Sequence, residues 1–323
     1  MGVRNGIGWS GMFFVAFIAC AMCVIAYLVK PVEIPSLQMG LCLNSPDSWQ
    51  IAPLISWILN TSVIATIPIL LYLINKSYNF IRTTDIVIMA VFLIMASSNA
   101  FFTQGINTST LLCLVNVASL GFIFSTYESK NATSHLFIIG LMLGVGSMLQ
   151  YAFLIMTPFF VICALFMKVL RVKEILAYLA GILCPYWITL GLGLVNVSDF
   201  HLPSMTSFFR TDNDPADIFF LLVGIGLATF IGFMTTLMNF MKLYAGNSRV
   251  TAMNFCVIAL GIVLVISILV DYENIMAYVI SLYLVTAIQI ANMCALWNIS
   301  QQWLVTVVLS LLFIALFAGS LFL

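Results

Sequence analysis

The chain has 323 residues, 63% hydrophobic and 7% charged, with 11 basic and 11 acidic side chains that cancel to zero net charge. Soluble domains carry about 25% charged residues, so this chain has too little charge to cover a water-facing surface, and its neutrality removes the case for nucleic acid as a partner. Long apolar runs recur from end to end, about twice the length of the ~10-residue alternating segments of a membrane β-barrel; the expected class is all-α, a polytopic transmembrane helical bundle forming a single integral membrane domain, 1–323.

The first apolar segment, about 11–29, lies between Arg4 and Lys30. It reads as a retained helix, because no small-residue cleavage site leads into a soluble domain. A loop follows over 30–50, with Pro31, Glu33, Pro35, Cys42, Pro46 and Asp47. The second helix, about 51–74, ends in a basic turn carrying Lys76 and Arg82. The third and fourth, about 86–102 and 111–127, are joined by the charge-free turn TQGINTST. Glu128, Lys130 and His135 then precede residues 136–170, a stretch with no acidic or basic side chain before Lys168. Beyond it come Arg171, Lys173, Glu174 and a helix of about 175–195 with Pro185 at its middle, where a kink is expected. A polar loop over 196–217 leads to four closing helices, about 218–241, 251–270, 275–297 and 303–323.

Of the eight cysteines, only Cys42 falls outside an apolar segment, so no disulfide framework is expected. Cys20 and Cys23 have CxxC spacing, but AFIACAMCVIA holds no charge to activate a thiolate, and they read as packing residues.

Residues 136–170 decide the sidedness of everything after them. If they cross the bilayer once, the basic residues divide between both faces. If they fold back as a hairpin, nine of the eleven share one side: Arg4, Lys76, Arg82, Lys130, Lys168, Arg171, Lys173, Lys242 and Arg249. Only Lys30 and Arg210 remain opposite, together with eight of the eleven acids. Cytoplasmic loops collect Lys and Arg, so the hairpin is the expectation. It gives eleven membrane segments, the N-terminus inside and the C-terminus outside. Each arm spans roughly 22–27 Å at 1.5 Å per residue, short of a ~30 Å hydrocarbon core, so the apex at Gln150-Tyr151 should stop below the outer surface. Gly140, Gly144 and Gly146 permit close packing of the first arm, and Pro158 bends the second.

With that topology Asn60, Asn99, Gln104, Asn116, Gln150 and Tyr151 gather towards the outer leaflet, either lining an outward-facing pocket or bonding helices to one another. Asp47, in NSPDSWQ, is a candidate general base; Ser45-Pro46-Asp47 is equally a helix start, with an N-cap Ser, Pro at the first position and an acid on the positive end. Glu33 is the second candidate base. Arg210 is placed to grip a phosphate bidentately, with His201 beside it, or to pair with Asp212, Asp214 and Asp217. RTDNDPAD lacks the glycine and distal Glu of a calcium loop, and Asp214-Pro215 with Asp217 reads as a helix cap. No P-loop, HExxH, GxSxG or metal-ligand cluster occurs in the sequence, so no cofactor and no metal are expected. Every Asp, Glu, Lys and Arg falls at a segment end, which argues against an ion pump. Membrane lipids are the expected partners.

The passage from 74 to about 195 resembles a family of uncharacterised polytopic inner-membrane proteins of bacteria. The residues that carry it are SLGFIFSTYESKNATSHLFIIGLMLGVGSMLQYAFLIMTPFFVICAL and RVKEILAYLAGILCPYW. They form a Gly-rich short arm, a second arm, a basic turn and a helix with Gly181, Pro185 and Tyr186. The layout is similar, more remotely, to the C-type glycosyltransferases, which use lipid-linked sugars and have short helices under an outward-facing cavity. That resemblance implies a bacterial inner-membrane, cell-envelope location. It also implies a transferase using a polyprenyl-linked donor, with an acid of the first outer loop, Asp47 or Glu33, as base; for such an enzyme the residue reading above puts Arg210 and His201 on the lipid phosphate and Gln150, Tyr151, Asn99 and Asn116 in the pocket lining. The alternative is a non-catalytic subunit that binds another envelope membrane protein; a transporter ranks third.

Overall fold

The computed structural model describes residues 9–29, 40–81, 85–129, 132–201, 215–242 and 248–322. These form thirteen α-helices and no strand. In chain order they are α1 (Trp9–Val29), α2 (Pro53–Tyr78), α3 (Asp85–Ala96), α4 (Ala100–Gln104), α5 (Thr108–Ser125), α6 (Ala132–Leu149) and α7 (Ala152–Ile155). There follow α8 (Thr157–Phe166), α9 (Val172–Gly191), α10 (Pro215–Lys242), α11 (Ser248–Val270), α12 (Ile275–Cys294) and α13 (Ile299–Phe322). Eight of them are long and apolar enough to cross a bilayer, and shorter apolar helices cover 13–29, 86–96 and 152–166. The protein is an integral membrane protein of helical architecture.

At the centre stands α12, the most enclosed of the long helices, with α3, α5, α10 and α11 packed around it. Its buried side chains include Tyr278, Tyr283, Ser281, Gln289 and Asn292. Asn274, Tyr278, Ser281, Gln289 and Asn292 share one helical face at 3.6 residues per turn. Polar groups at such depth are bonded to neighbouring helices: Asn116 Nδ2 of α5 donates to Ser281 Oγ (3.1 Å), Asn239 Nδ2 of α10 to Gln289 Oε1 (3.0 Å), and Asn292 Nδ2 to Asn254 Oδ1 of α11 (2.8 Å).

The stretch 136–170 folds back. Its two ends meet: Glu128 N–H donates to Met167 O (3.2 Å), and Lys168 Nζ pairs with Glu128 at 2.9 Å. Lys168 sits at a left-handed φ of 59° and closes α8 in a Schellman turn, with Val169 N–H on Ala164 O (3.1 Å) and Lys168 N–H on Leu165 O (3.0 Å). Cysteines placed at 128 and 168 should therefore cross-link in membranes through a short bis-thiol reagent; a single continuous rod would hold them on opposite faces and give no cross-link.

The loops sort into two faces. Among the described residues Lys76, Lys168, Arg171, Lys173 and Arg249 share one, where Arg249 stacks over Tyr78 (5.5 Å) and Tyr127 (6.0 Å) and Asn254 Nδ2 donates to Phe80 O (3.2 Å). Glu128 and Glu174 lie with them. The opposite face joins residues 40–50, the turn before α5, the hairpin apex, residues 193–201 and the α11–α12 turn, and holds Asp47, Asp199 and Asp271. Leu43 N–H donates to Met148 O (3.0 Å), and His201 N–H to Leu41 O (3.0 Å). These are termed the basic and carboxylate faces below.

Three local expectations are corrected. The third helix, expected over 86–102, is broken between α3 and α4. Ser98 Oγ donates to Met95 O (2.7 Å) and Asn99 Oδ1 accepts from Phe101 N–H (2.9 Å), so side chains there take over backbone groups that would otherwise continue the helix. Ser45-Pro46-Asp47 opens only a 3₁₀ turn, Pro46–Ser48, and α2 starts at Pro53 with proline again in its first turn. The second arm of the hairpin is two helices, α7 and α8, with Pro158 in the first turn of α8, where a missing N–H costs nothing. Beyond these three, α9 continues past Pro185 as one helix of 20 residues.

Candidate functional site

The carboxylate face holds the described candidates, and its chemistry centres on two carboxyl groups. Asp271, in the turn between α11 and α12, is 2% exposed. Its Oδ1 accepts from Tyr151 OH (2.6 Å) and Asn274 Nδ2 (3.0 Å), and its Oδ2 from Tyr278 OH (2.7 Å). Asn274 Oδ1 in turn accepts from Gln150 Nε2 (3.1 Å), and Gln150 Oε1 from Tyr151 N–H (3.1 Å). The hairpin apex is thus tied by its two polar side chains to the start of α12. Gln150 has no exposed surface and Tyr151 is 2% exposed.

Sequence reasoning counted Asp271 only as an outer-loop acid. The spacing Asp271, Asn274, Tyr278 was the available signal: steps of three and four put all three on one helical face at the polar end of an apolar span.

Asp47, the second carboxyl, lies half-buried against the N-terminus of α5. Thr108 N–H donates to both its oxygens at 3.3 Å, and the Thr108 hydroxyl donates to Oδ2. The acid therefore caps a different helix from the one expected, in the position where a helix dipole favours it. Burial pushes its carboxyl above the ordinary carboxylate value, against the hydrogen bonds from Thr108 that pull it down.

A carboxyl whose folded pKa exceeds its unfolded one holds its proton more tightly when folded. Its contribution to stability is complete below the ordinary carboxylate range and is lost as pH rises through the raised value. As pH rises from about 4 the melting temperature should therefore fall more for the parent than for Asp47→Asn; parallel curves would show that burial of Asp47 makes no such contribution.

The remaining candidates do not converge on these groups. Asn99 caps α4. Asn116 bonds Ser281 and is fully buried between α5 and α12, with its Oδ1 unpartnered among the described residues. Asn60 joins Phe102 O (2.7 Å) and Thr110 (2.9 Å), a bond between α2, α4 and α5. His201 is exposed at the rim of the carboxylate face. Glu33 and Arg210 lie outside the described residues, as do Asp212 and Asp214. No group of three or more His, Cys, Asp or Glu able to hold a metal occurs among the described residues. Cys42 is a free thiol, raised by burial and by the nearby Asp199.

A cavity of about 360 Å³ lies elsewhere, in the side of the bundle between α10, α11 and α12, and is lined by apolar and small side chains. In comparisons with known proteins the chain matches no family model, no curated protein and no solved structure.

Proposed function

We propose that the protein belongs to the bacterial inner membrane and handles a lipid-linked or lipid-phosphate substrate from the outer leaflet. In this reading the chain has eleven membrane segments, with the basic face in the cytoplasm and the carboxylate face outside, a sidedness that the distribution of Lys and Arg supports. In this reading its layout is glycosyltransferase-C-like, with a short hairpin beneath the outer face.

The observation that supports a reactive role is Asp47: a half-buried carboxyl on the carboxylate face, at the N-terminus of α5, whose proton affinity burial raises above that of an ordinary carboxylate. It would take the proton of an acceptor hydroxyl as that oxygen bonds to the transferred carbon of a polyprenyl-linked donor. The bond to the lipid phosphate breaks with its electron pair left on the phosphate, which Arg210 and His201 grip; Glu33 is the alternative base.

A different observation favours a second reading. Gln150, Tyr151, Asn99 and Asn116 all spend hydrogen bonds inside the chain, as they would in a non-catalytic subunit of an envelope complex.

Native purification followed by mass spectrometry of bound lipids separates the two. A co-purifying polyprenyl phosphate, lost in Asp47→Ala and Arg210→Ala together, supports the first. A stoichiometric membrane protein with bulk phospholipid alone supports the second. Once a transfer assay exists, Asp47→Asn should lower kcat on the order of 10²-fold or more, the scale of a lost general base; full activity would remove Asp47 from the reaction.

A further inference from the structure

In the side of the bundle, α10 and α11 each pack mainly on α12 and meet one another at the Phe240–Phe255 ring pair (6.3 Å), and α12 forms the floor of the groove between them. The groove follows positions 228–236 of α10 and 258–266 of α11, about 12 Å at 1.5 Å per residue. Both stretches lie well inside their helices, so the opening faces hydrocarbon.

Glycines make the slot. A Cβ at Gly232 would stand 3.1 Å from Thr286 Oγ1, and one at Gly261 would stand 3.0 Å from Val285 Cγ1. The floor asks for no polar partner, since the Thr286 hydroxyl already donates to Ala228 O (3.1 Å). At the rim stand Phe233, Ile262 and Ile266, each more than half exposed.

Two occupants compete for such a groove, a helix or a hydrocarbon tail, and size decides. About 360 Å³ spread along ~12 Å is a slot of roughly 30 Å² in section, well under the roughly 80 Å² of a helix about 10 Å across, so the slot is too narrow to seat a helix backbone. A single extended chain a few ångströms thick fills the slot along its length. Of the ladder Ala228, Gly232, Thr236, which in isolation reads as a helix-dimer face, the first two already meet Thr286 of α12.

We propose that this groove is a specific site for one acyl chain of a bilayer phospholipid. It is separate from the carboxylate face and independent of any reaction there. The chain substitutes for the side chains that α10 and α11 do not supply, and restores the close contacts that an unfilled slot forgoes.

The test uses the full chain in phosphatidylethanolamine–phosphatidylglycerol vesicles containing a trace of phosphatidylcholine with a diazirine in mid-chain. After irradiation, peptide mapping should show adducts several-fold denser over 228–236 and 258–266 than over the equally exposed faces of α2 and α9. Thr229→Phe and Val265→Phe, on opposite walls, should each abolish the excess, while Phe230→Leu outside the groove should not. Equal labelling of all lipid-facing helices, or an excess that survives both filling variants, overturns the site. So does photo-cross-linking of α10 or α11 to a second polypeptide without lipid adducts, which would show a helix in place of the tail.

Discussion

Replacing Gly140 or Gly144 by valine should prevent recovery of a folded, detergent-stable protein, and alanine should destabilise it at either position. The two glycines, one helical turn apart on α6, face α9. A Cβ at Gly140 would collide with the Tyr178 carbonyl oxygen, and one at Gly144 would stand 2.5 Å from the Ile182 carbonyl oxygen. On the facing helix a Cβ at Gly181 would meet Phe137 O in the same way. The obstacles are backbone atoms and cannot rotate aside, so α6 and α9 must separate. Overpacking costs about 1–3 kcal/mol, and it outweighs the ~1 kcal/mol that alanine gains over glycine in a helix. The same substitution at Gly226, where nothing lies within 4 Å, should instead raise stability by about 0.5–1 kcal/mol. Opposite signs of the change in melting temperature at 140 and 226 are the expected result; a gain at both would show that α6 and α9 are not in backbone contact.

The effect would reach the carboxylate face. α6 delivers the apex, and the α6–α9 contact is the most extensive helix pairing in the bundle. The Tyr186 hydroxyl of α9 bonds Ser147 of α6 at 2.6 Å, one turn below Gln150. Residues 41–43 add backbone hydrogen bonds to Ser147 and Met148 from above. At 18 residues α6 is long enough to cross on its own, against the short arm expected, and it is held in place by close backbone packing on one side and a loop cap on the other.

Much of this was legible in the sequence because it followed from charge and length. The fold-back of 136–170 was forced by where Lys130, Lys168, Arg171 and Lys173 must lie, and the Glu128–Lys168 pair now joins its ends. Gly140 and Gly144 were readable as packing positions because small residues one turn apart have few other uses in a membrane. What sequence could not supply was pairing at a distance. Asp47 looked like a cap for its own helix, yet its partner is Thr108, 61 residues on. Asp271 looked like a solvated loop acid, because the Tyr151 phenol that helps to hide it arrives from an apex 120 residues earlier. The groove was invisible for a related reason: it depends on two sequential helices standing apart over 228–236 and 258–266, and hydropathy is blind to such a gap.

Removing the Asp271 carboxyl should be the most damaging single change on the carboxylate face, with a loss of about 3 kcal/mol or more for Asp271→Ala. Three buried donors, the hydroxyls of Tyr151 and Tyr278 and Nδ2 of Asn274, converge on it. Each buried donor left without its acceptor costs about 1–3 kcal/mol. Asp271→Asn should cost less, since its amide oxygen still accepts one bond and the phenols can accept from its nitrogen. Tyr278→Phe should cost more than Tyr151→Phe: Tyr278 supplies the bond to Oδ2, whereas Oδ1 keeps Asn274 after Tyr151 is cut. The order expected in thermal melts is therefore Asp271→Ala, then Tyr278→Phe, then Tyr151→Phe. Hydrogen exchange locates the effect. In Asp271→Ala the amides of 147–155 should exchange faster while those of the α6–α9 contact below keep their protection, because the carboxyl anchors the apex and the glycines hold the arm. Uniformly faster exchange along all of α6 would mean that Asp271 supports the bundle as a whole and is no local tether for the hairpin.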